Sequence, residues 1–225
     1  MCAVLGLYLK NPDLNQVEKL ILESSIRGLH ATGLTYLKDG KLYTAKKSMP
    51  AREFLSDFDL SKTVDGDTLK MIVHCRYSTS DLRYNQPIHK GDLSIVHNGV
   101  ISQELPENWF DLYGYETETH NDTELLFESR RDGHSPFDWT DASISAVELQ
   151  QDGIMRFYRN GKRPLHFMTT DNGNIISSTK DIFNRSGIKG IHSVCDPGMV
   201  YNIGESDELH SEGEELYDLQ ELSYV

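Results

Sequence analysis

The stretch "MCAVLGLYL", residues 1–9, sets a cysteine directly behind the initiator methionine and runs on into an apolar segment. Residues 2–9 read as a buried strand, since a short apolar run closed by Asn11, Pro12 and Asp13 has strand length. A methionine followed by a small side chain is expected to be trimmed away. Cys2 then carries a thiol and a free backbone amine on one residue, so that nucleophile and base stand side by side at the head of a strand.

Outward from this strand, "NQVEKLILESSIRGL" (15–29) places Val17, Leu20, Ile21 and Ser24 at the three-and-four spacing of an amphipathic helix, with Asn11 to Asp13 as its start signal. "ATGLTYL" (31–37) and "KLYTAKK" (41–47) flank Lys38-Asp39-Gly40, where the Asp-Gly pair predicts a hairpin. Short β-rich runs follow at "LKMIVHCRYS" (69–78), "LSIVHNGVI" (93–101), "GIMRFYR" (153–159), "LHFMTT" (165–170) and "NIISST" (174–179). Helical spacing returns at "DTELLFESRR" (122–131) and "KDIFNRSG" (180–187), the latter with Gly187 as its stop. Many strands with a few helices and no strict βαβ alternation argue α+β, or stacked sheets with helices outside.

The 225 residues are enough for one substantial domain, and 38% hydrophobic with 25% charged residues is an ordinary globular balance. A formal net charge of -13 disfavours the phosphate attraction that carries most nucleic-acid binding. Cys2, Cys75 and Cys195 are an odd count with no CxxC pair, so neither a disulfide framework nor a zinc site is signalled. No run approaches the roughly 20 apolar residues of a membrane span, and no basic region precedes a long apolar one. A reducing cytoplasm is the expected location.

Three further segments carry chemistry. "VHNGVI" puts Asn98-Gly99 straight after an apolar strand. This reads as a hairpin turn, or as an oxyanion hole in which the Asn98 amide and the Gly99 backbone N–H point at one spot. "HCRYSTS" (74–80) closes a β-rich run with Arg76, either a salt-bridged surface side chain or a planar fork for a carboxylate. In "HNDTELL" (120–126), Asp122 opens an amphipathic run, as a helix cap or as a partner for an ammonium group. An arginine for a carboxylate with an aspartate for an ammonium describes an α-amino-acid pocket. His74, His89, His97 and His120 invite a metal reading, but their spacing fits no zinc pattern. Histidines in half-buried strands read as hydrogen-bonded core residues, so no metal and no cofactor is expected.

Cys2, "RGLHATG" (27–33), "HCRYST", "NQPI", "HNG" and "NDTE" stand in the order and spacing of the class II glutamine amidotransferase domain, of the N-terminal nucleophile hydrolases. "GKRPLHF" (161–167), "ISSTKDI" (176–182) and "PGMVYNI" (197–203) resemble that family's later strand motifs, so the resemblance covers nearly everything before residue 205. It implies a four-layer αββα sandwich of two antiparallel sheets with helices outside. It also implies hydrolysis of the glutamine side-chain amide, with Cys2 as nucleophile and its α-amine as base. By the same resemblance Arg76 holds the α-carboxylate, Asp122 the α-ammonium, and Asn98 with Gly99 the oxyanion, while Tyr77 and Thr79 line the pocket. Ala3, Tyr77 and Ser80 replace the glycine, tryptophan and histidine common in the family, and His30 stands where an aspartate is frequent. These departures bear on how the glutamine loop closes.

The resemblance assigns residues 1–204 to the glutaminase domain. Residues 205–225 are read as an acidic tail, with Glu205, Asp207, Glu208, Glu212, Glu214, Glu215, Asp218 and Glu221 and no Lys or Arg. Leu216, Leu219 and Leu222 recur every three residues within it, compatible with a docking helix or with a solvated tail. Glutamine is the implied substrate and a separate synthetase subunit the implied acceptor of ammonia, with no nucleic acid and no membrane; oligomeric state is left open. The readings set against this are an N-terminal cysteine hydrolase of another amide and a catalytically quiet binding subunit that retains the fold.

Overall fold

The computed structural model describes residues 2–78, 82–204 and 209–213. The opening apolar run forms β1 (Ala3–Lys10), and α1 (Leu14–Ser25) follows, its N-terminus capped by the Asp13 carboxylate accepting from the N–H groups of Asn15 and Gln16. The helix ends short of the expected Leu29. The chain turns out at Ile26 so that His30 N–H can bond the Arg76 carbonyl and begin pairing. β2 (Ala31–Lys38) and β3 (Lys41–Lys47) make the expected hairpin, with Asp39 and Gly40 at φ 49° and 67°.

The remaining elements are α2 (Ala51–Asp57), β4 (Thr68–Arg76), β5 (Ile88–Lys90), β6 (Leu93–His97), α3 (Trp109–Tyr113), α4 (Thr123–Arg131), β7 (Ser145–Gln150), β8 (Met155–Arg159), β9 (His166–Thr170), β10 (Gly173–Ser177), α5 (Lys180–Ser186), β11 (Ile191–Val194), β12 (Met199–Ile203) and β13 (Leu209–Gly213). They build a seven-stranded sheet in the order β11-β9-β10-β1-β4-β2-β3 and a six-stranded sheet in the order β13-β12-β8-β7-β6-β5. Every pairing among the described residues is antiparallel.

Alternation along β1 sorts the layers. Leu5 and Leu7 pack with Val17, Leu20 and Ile21 of α1, Phe54 of α2 and Phe183 of α5, whereas Val4 and Tyr8 meet Val96, Val147 and Phe157 of the opposite sheet. On the far side, Phe127 of α4 covers Ile88, Leu93 and Ile95, and Trp109 of α3 joins Leu125, Ile144 and Tyr158. The result is the four-layer αββα sandwich expected from the sequence. No helix among the described residues is long and apolar enough to cross a membrane.

β13 pairs with β12 from Leu209 to Gly213, so the span read as a tail contributes an edge strand. The acidic residues Glu205, Asp207, Glu208, Glu214, Glu215, Asp218 and Glu221, and Leu216, Leu219 and Leu222, lie outside the described residues, as do Met1, Thr79 and Ser80.

Candidate active site

At one end of the sandwich, between the sheets, Cys2, Arg76, Tyr77, Gly99 and Asp122 line a single cavity of about 480 Å³ together with His74, Gln86, His97, His120 and Asn121. The seven-stranded sheet supplies Cys2 and Arg76, which fall at one level because β1 and β4 pair Ala3 with Cys75 and Val4 with His74. The six-stranded sheet supplies Gly99, two residues beyond the end of β6.

Cys2 is half-buried. Its thiol lies 3.8 Å from the Tyr77 carbonyl oxygen, and its own carbonyl accepts from Arg27 Nε at 3.3 Å. Burial lowers the pKa of Arg27 from its ordinary value, against the opposing pull of Cys2. Cys75 sits on the opposite face of β4 in the helix-side core, where burial pushes its thiol up to about 12. Of these two cysteines, only the one at the cavity is placed to react.

The Arg76 guanidinium is buried, and its Nη1 donates to the Tyr84 carbonyl at 2.5 Å and to Asn85 Oδ1 at 2.7 Å. Lys46 Nζ secures the same loop through the carbonyls of Asn85 and Pro87, and the Tyr84 carbonyl also accepts from Asn121 Nδ2 at 2.9 Å. Arg76 is therefore a loop anchor as well as a cation facing the cavity. Tyr77 is exposed at the rim and packs on the His30 ring, 4.7 Å between centroids; His30 Nδ1 accepts from the Ser78 N–H at 2.9 Å. His30 thus fixes the chain just after Arg76.

Gly99 can only be glycine. A Cβ there would lie 1.8 Å from the Ser143 carbonyl oxygen and 2.6 Å from His97 Nε2. Asn98 is buried beside it, with its backbone N–H on the Ser145 carbonyl, and its side chain is not among the groups lining the cavity. Asp122 does not cap α4 with its side chain; Oδ2 instead accepts from the N–H groups of Ile101 at 2.6 Å and Ser102 at 3.4 Å.

Sequence reasoning missed the groups that hold these residues. Gln86 brackets His97, accepting its N–H at 2.6 Å and donating to its carbonyl at 3.1 Å, and also donates to Thr123 Oγ1. His97 Nε2 lies 3.0 Å from the Ser143 carbonyl, which can only accept. The proton therefore sits on Nε2, and Nδ1 accepts from the Thr123 hydroxyl. Burial lowers the His97 pKa, so the ring is neutral. Glu124, fully buried, takes the N–H groups of Glu118 and Thr119 and the Thr119 hydroxyl, and pairs with Lys90 Nζ at 2.6 Å. Burial works against its charge, but these bonds outweigh it and hold the carboxyl below its ordinary pKa. The readable signal was a polar residue inside an otherwise buried segment, which chemistry tolerates only when partnered. Among the described residues, no cluster of three or more His, Cys, Asp or Glu is arranged to hold a metal.

No family model matches the chain, and no curated protein matches it in sequence. Solved structures share its fold. Glutamine phosphoribosylpyrophosphate amidotransferase from B. subtilis superposes with TM-score 0.75 at 21% identity over 94% of this chain, and a structure described as the allosteric regulatory enzyme of purine biosynthesis with TM-score 0.73 at 22% identity over 94%. The chain spans about half of each, 49% of their length. A glutamine aminotransferase class-II domain protein from Silicibacter pomeroyi matches with TM-score 0.58 at 11% identity, over 95% of this chain and 99% of that one.

Proposed function

We propose that this chain is a class II glutamine amidotransferase domain, residues 1–204, which hydrolyses the side-chain amide of glutamine through a thioester on Cys2. The observation that carries the reading is the convergence of a second-position cysteine, a buried arginine, an aspartate and a glycine on one cavity. The fold shared with a glutamine phosphoribosylpyrophosphate amidotransferase supports the choice of amide.

In this mechanism Met1 is removed, and the α-amine of Cys2, with an ordinary pKa near 7.7 to 8.0, takes the thiol proton through a water. Sulfur bonds to the amide carbon, and the oxygen that becomes negative is met by the Gly99 N–H, with the Asn98 amide, buried beside the cavity in the substrate-free protein, turning in to join it. Collapse breaks the C–N bond, the amine's proton leaves with ammonia, and water opens the thioester, returning a proton to the thiolate and releasing glutamate. Arg76 and Asp122 bind the α-carboxylate and α-ammonium, Tyr77 covers the rim, and Thr79 lines the pocket. The ammonia passes to a separate synthetase-type subunit, with the acidic stretch beyond β13, within the 205–225 span, as a candidate docking element, and the setting is the cytoplasm.

Incubating purified protein with glutamine and assaying glutamate and ammonia tests the reading. Release of both by the wild type and of neither by Cys2→Ala is expected. A wild type that releases neither, with Met1 demonstrably absent, overturns it.

A further inference from the structure

The turn at Gly99 is held by a residue that has no part in the mechanism above. Beyond β6, the Asn98 N–H bonds the Ser145 carbonyl at 2.8 Å and the Val100 N–H bonds the Ser143 carbonyl at 3.0 Å, while the Ser143 N–H returns a bond to the Val100 carbonyl at 2.8 Å. Alternation along an extended chain then turns the Gly99 N–H to the opposite side. His97, of the same parity, sends its N–H that way to Gln86, which lines the cavity. Among the described residues, the Gly99 N–H has no hydrogen-bond partner.

Ser143 fixes this arrangement with three of its atoms. Besides the N–H, its carbonyl accepts from the Val100 N–H and from His97 Nε2, each at 3.0 Å, and stands where a Cβ on residue 99 would be. Its hydroxyl oxygen also accepts the Val100 N–H, at 3.0 Å, and accepts Arg163 Nε at 3.3 Å. The Val100 N–H is thus shared between two oxygens of one residue. Arg163 is itself set by its chain: its carbonyl accepts from Arg159 Nη1 at 3.1 Å, and the next carbonyl, of Pro164, accepts from the Ser145 hydroxyl at 3.0 Å. Residues 163–164, from the stretch "GKRPLHF", therefore grip Ser143 and Ser145 together.

Resting on the proposed glutaminase reading, we infer that Ser143, secured by Arg163, is a positioning residue that aims the Gly99 N–H at the oxygen that becomes negative. Neither side chain lines the cavity. Removing the Ser143 hydroxyl leaves the backbone pairing, Arg76 and Asp122 in place and loosens only the turn, so the loss falls on the transition state and not on substrate binding.

The test makes three measurements on Ser143→Ala. Its kcat for glutamine is expected to fall on the order of 10-fold, with KM and inhibition by L-glutamate unchanged. Alkylation of Cys2 by iodoacetamide, followed by intact mass with Cys2→Ala as the blank, is expected at the wild-type rate. There the C–S bond forms as iodide leaves a saturated carbon with its electron pair, the thiol proton passes to the α-amine, and no negative oxygen appears. Cys75 and Cys195 stay out of that reaction, since burial pushes both thiols up. Ser143→Thr, which keeps a hydroxyl, should restore kcat. Arg163→Met should lower kcat by itself and add little to Ser143→Ala, because it acts through that hydroxyl. An unchanged kcat in Ser143→Ala, a rise in KM alone, or a fall shared by turnover and alkylation overturns the inference and leaves the glutaminase reading intact. Additive losses in the double variant overturn the part given to Arg163. A wild type that releases no glutamate, with Met1 absent, overturns the inference together with the reading it rests on.

Discussion

Asp122 Oδ2 accepts the backbone N–H of Ile101 at 2.6 Å, so the carboxylate proposed to receive the substrate ammonium also anchors the chain two residues beyond Gly99. Substitution should therefore split in a way that separates the two duties. Asp122→Asn keeps an oxygen for Ile101 and loses the charge, and is expected to raise KM on the order of 10 to 100-fold with kcat nearly intact. Asp122→Ala loses both, and kcat should fall as well. Equal kcat values for the two variants would show that the Ile101 bond plays no part in turnover.

Arg76 has a similar double duty, because Nη1 holds Tyr84 and Asn85. Arg76→Lys keeps the charge but cannot reproduce a planar fork. It is expected to raise KM for glutamine nearly as far as Arg76→Ala, and faster proteolysis near residues 82–87 should accompany it. Full activity in Arg76→Lys would mean that charge alone suffices.

Gly99→Ala is expected to destabilise the protein by about 3 kcal/mol, since its Cβ would stand 1.8 Å from a backbone oxygen that has no room to yield. Denaturant unfolding measures it. A change below about 1 kcal/mol would contradict the close approach of Gly99 to Ser143.

Stability should fall with acid through the buried histidines. His74 and His97 are both held neutral by burial, with folded pKa values below the ordinary 6.5 and that of His74 pushed down to about 3. Between pH 6.5 and about 3 the unfolded chain binds protons that the folded one refuses. For His74 this contribution is thus fully present above 6.5 and is lost as pH drops through that window, at about 1.4 kcal/mol per pH unit, and His97 adds a loss of the same sign below 6.5. Unfolding free energies at pH 7 and pH 5 should show a slope reduced by one such increment in His74→Leu. An unchanged slope would mean that His74 titrates normally in the folded protein.

The strands carrying Cys2, Arg76 and Asn98-Gly99 were legible because their apolar runs are unbroken and end at the chemistry. β7 was not, because Ser145 and Glu148 interrupt its pattern; Glu148 is buried only because Arg130 Nε, at 2.8 Å, and the Tyr158 hydroxyl, at 2.7 Å, satisfy it. No local rule announces a partner 18 residues away. The same holds for the site: the residues proposed to meet the ligand lie in motifs, whereas the clamps around them, Gln86 to His97 and Glu124 to Thr119, are long-range or loop-specific bonds without a periodic trace. Short α2 and α3, at seven and five residues, are too brief to show a helical period.

Cys2 adjoins one sheet and Gly99 the other, so the distance between the proposed attacking sulfur and the group proposed to receive the negative oxygen is set by the thickness of the layer between them, about 10 Å for face-packed sheets. Residues that never see the cavity then become gauge blocks for the reaction. Val147 and Ile176, both buried between the sheets, are such spacers. On the proposed reading, shaving a methylene group from either should shift turnover more than substrate affinity, making the activity tunable from the interior with every group at the site unchanged.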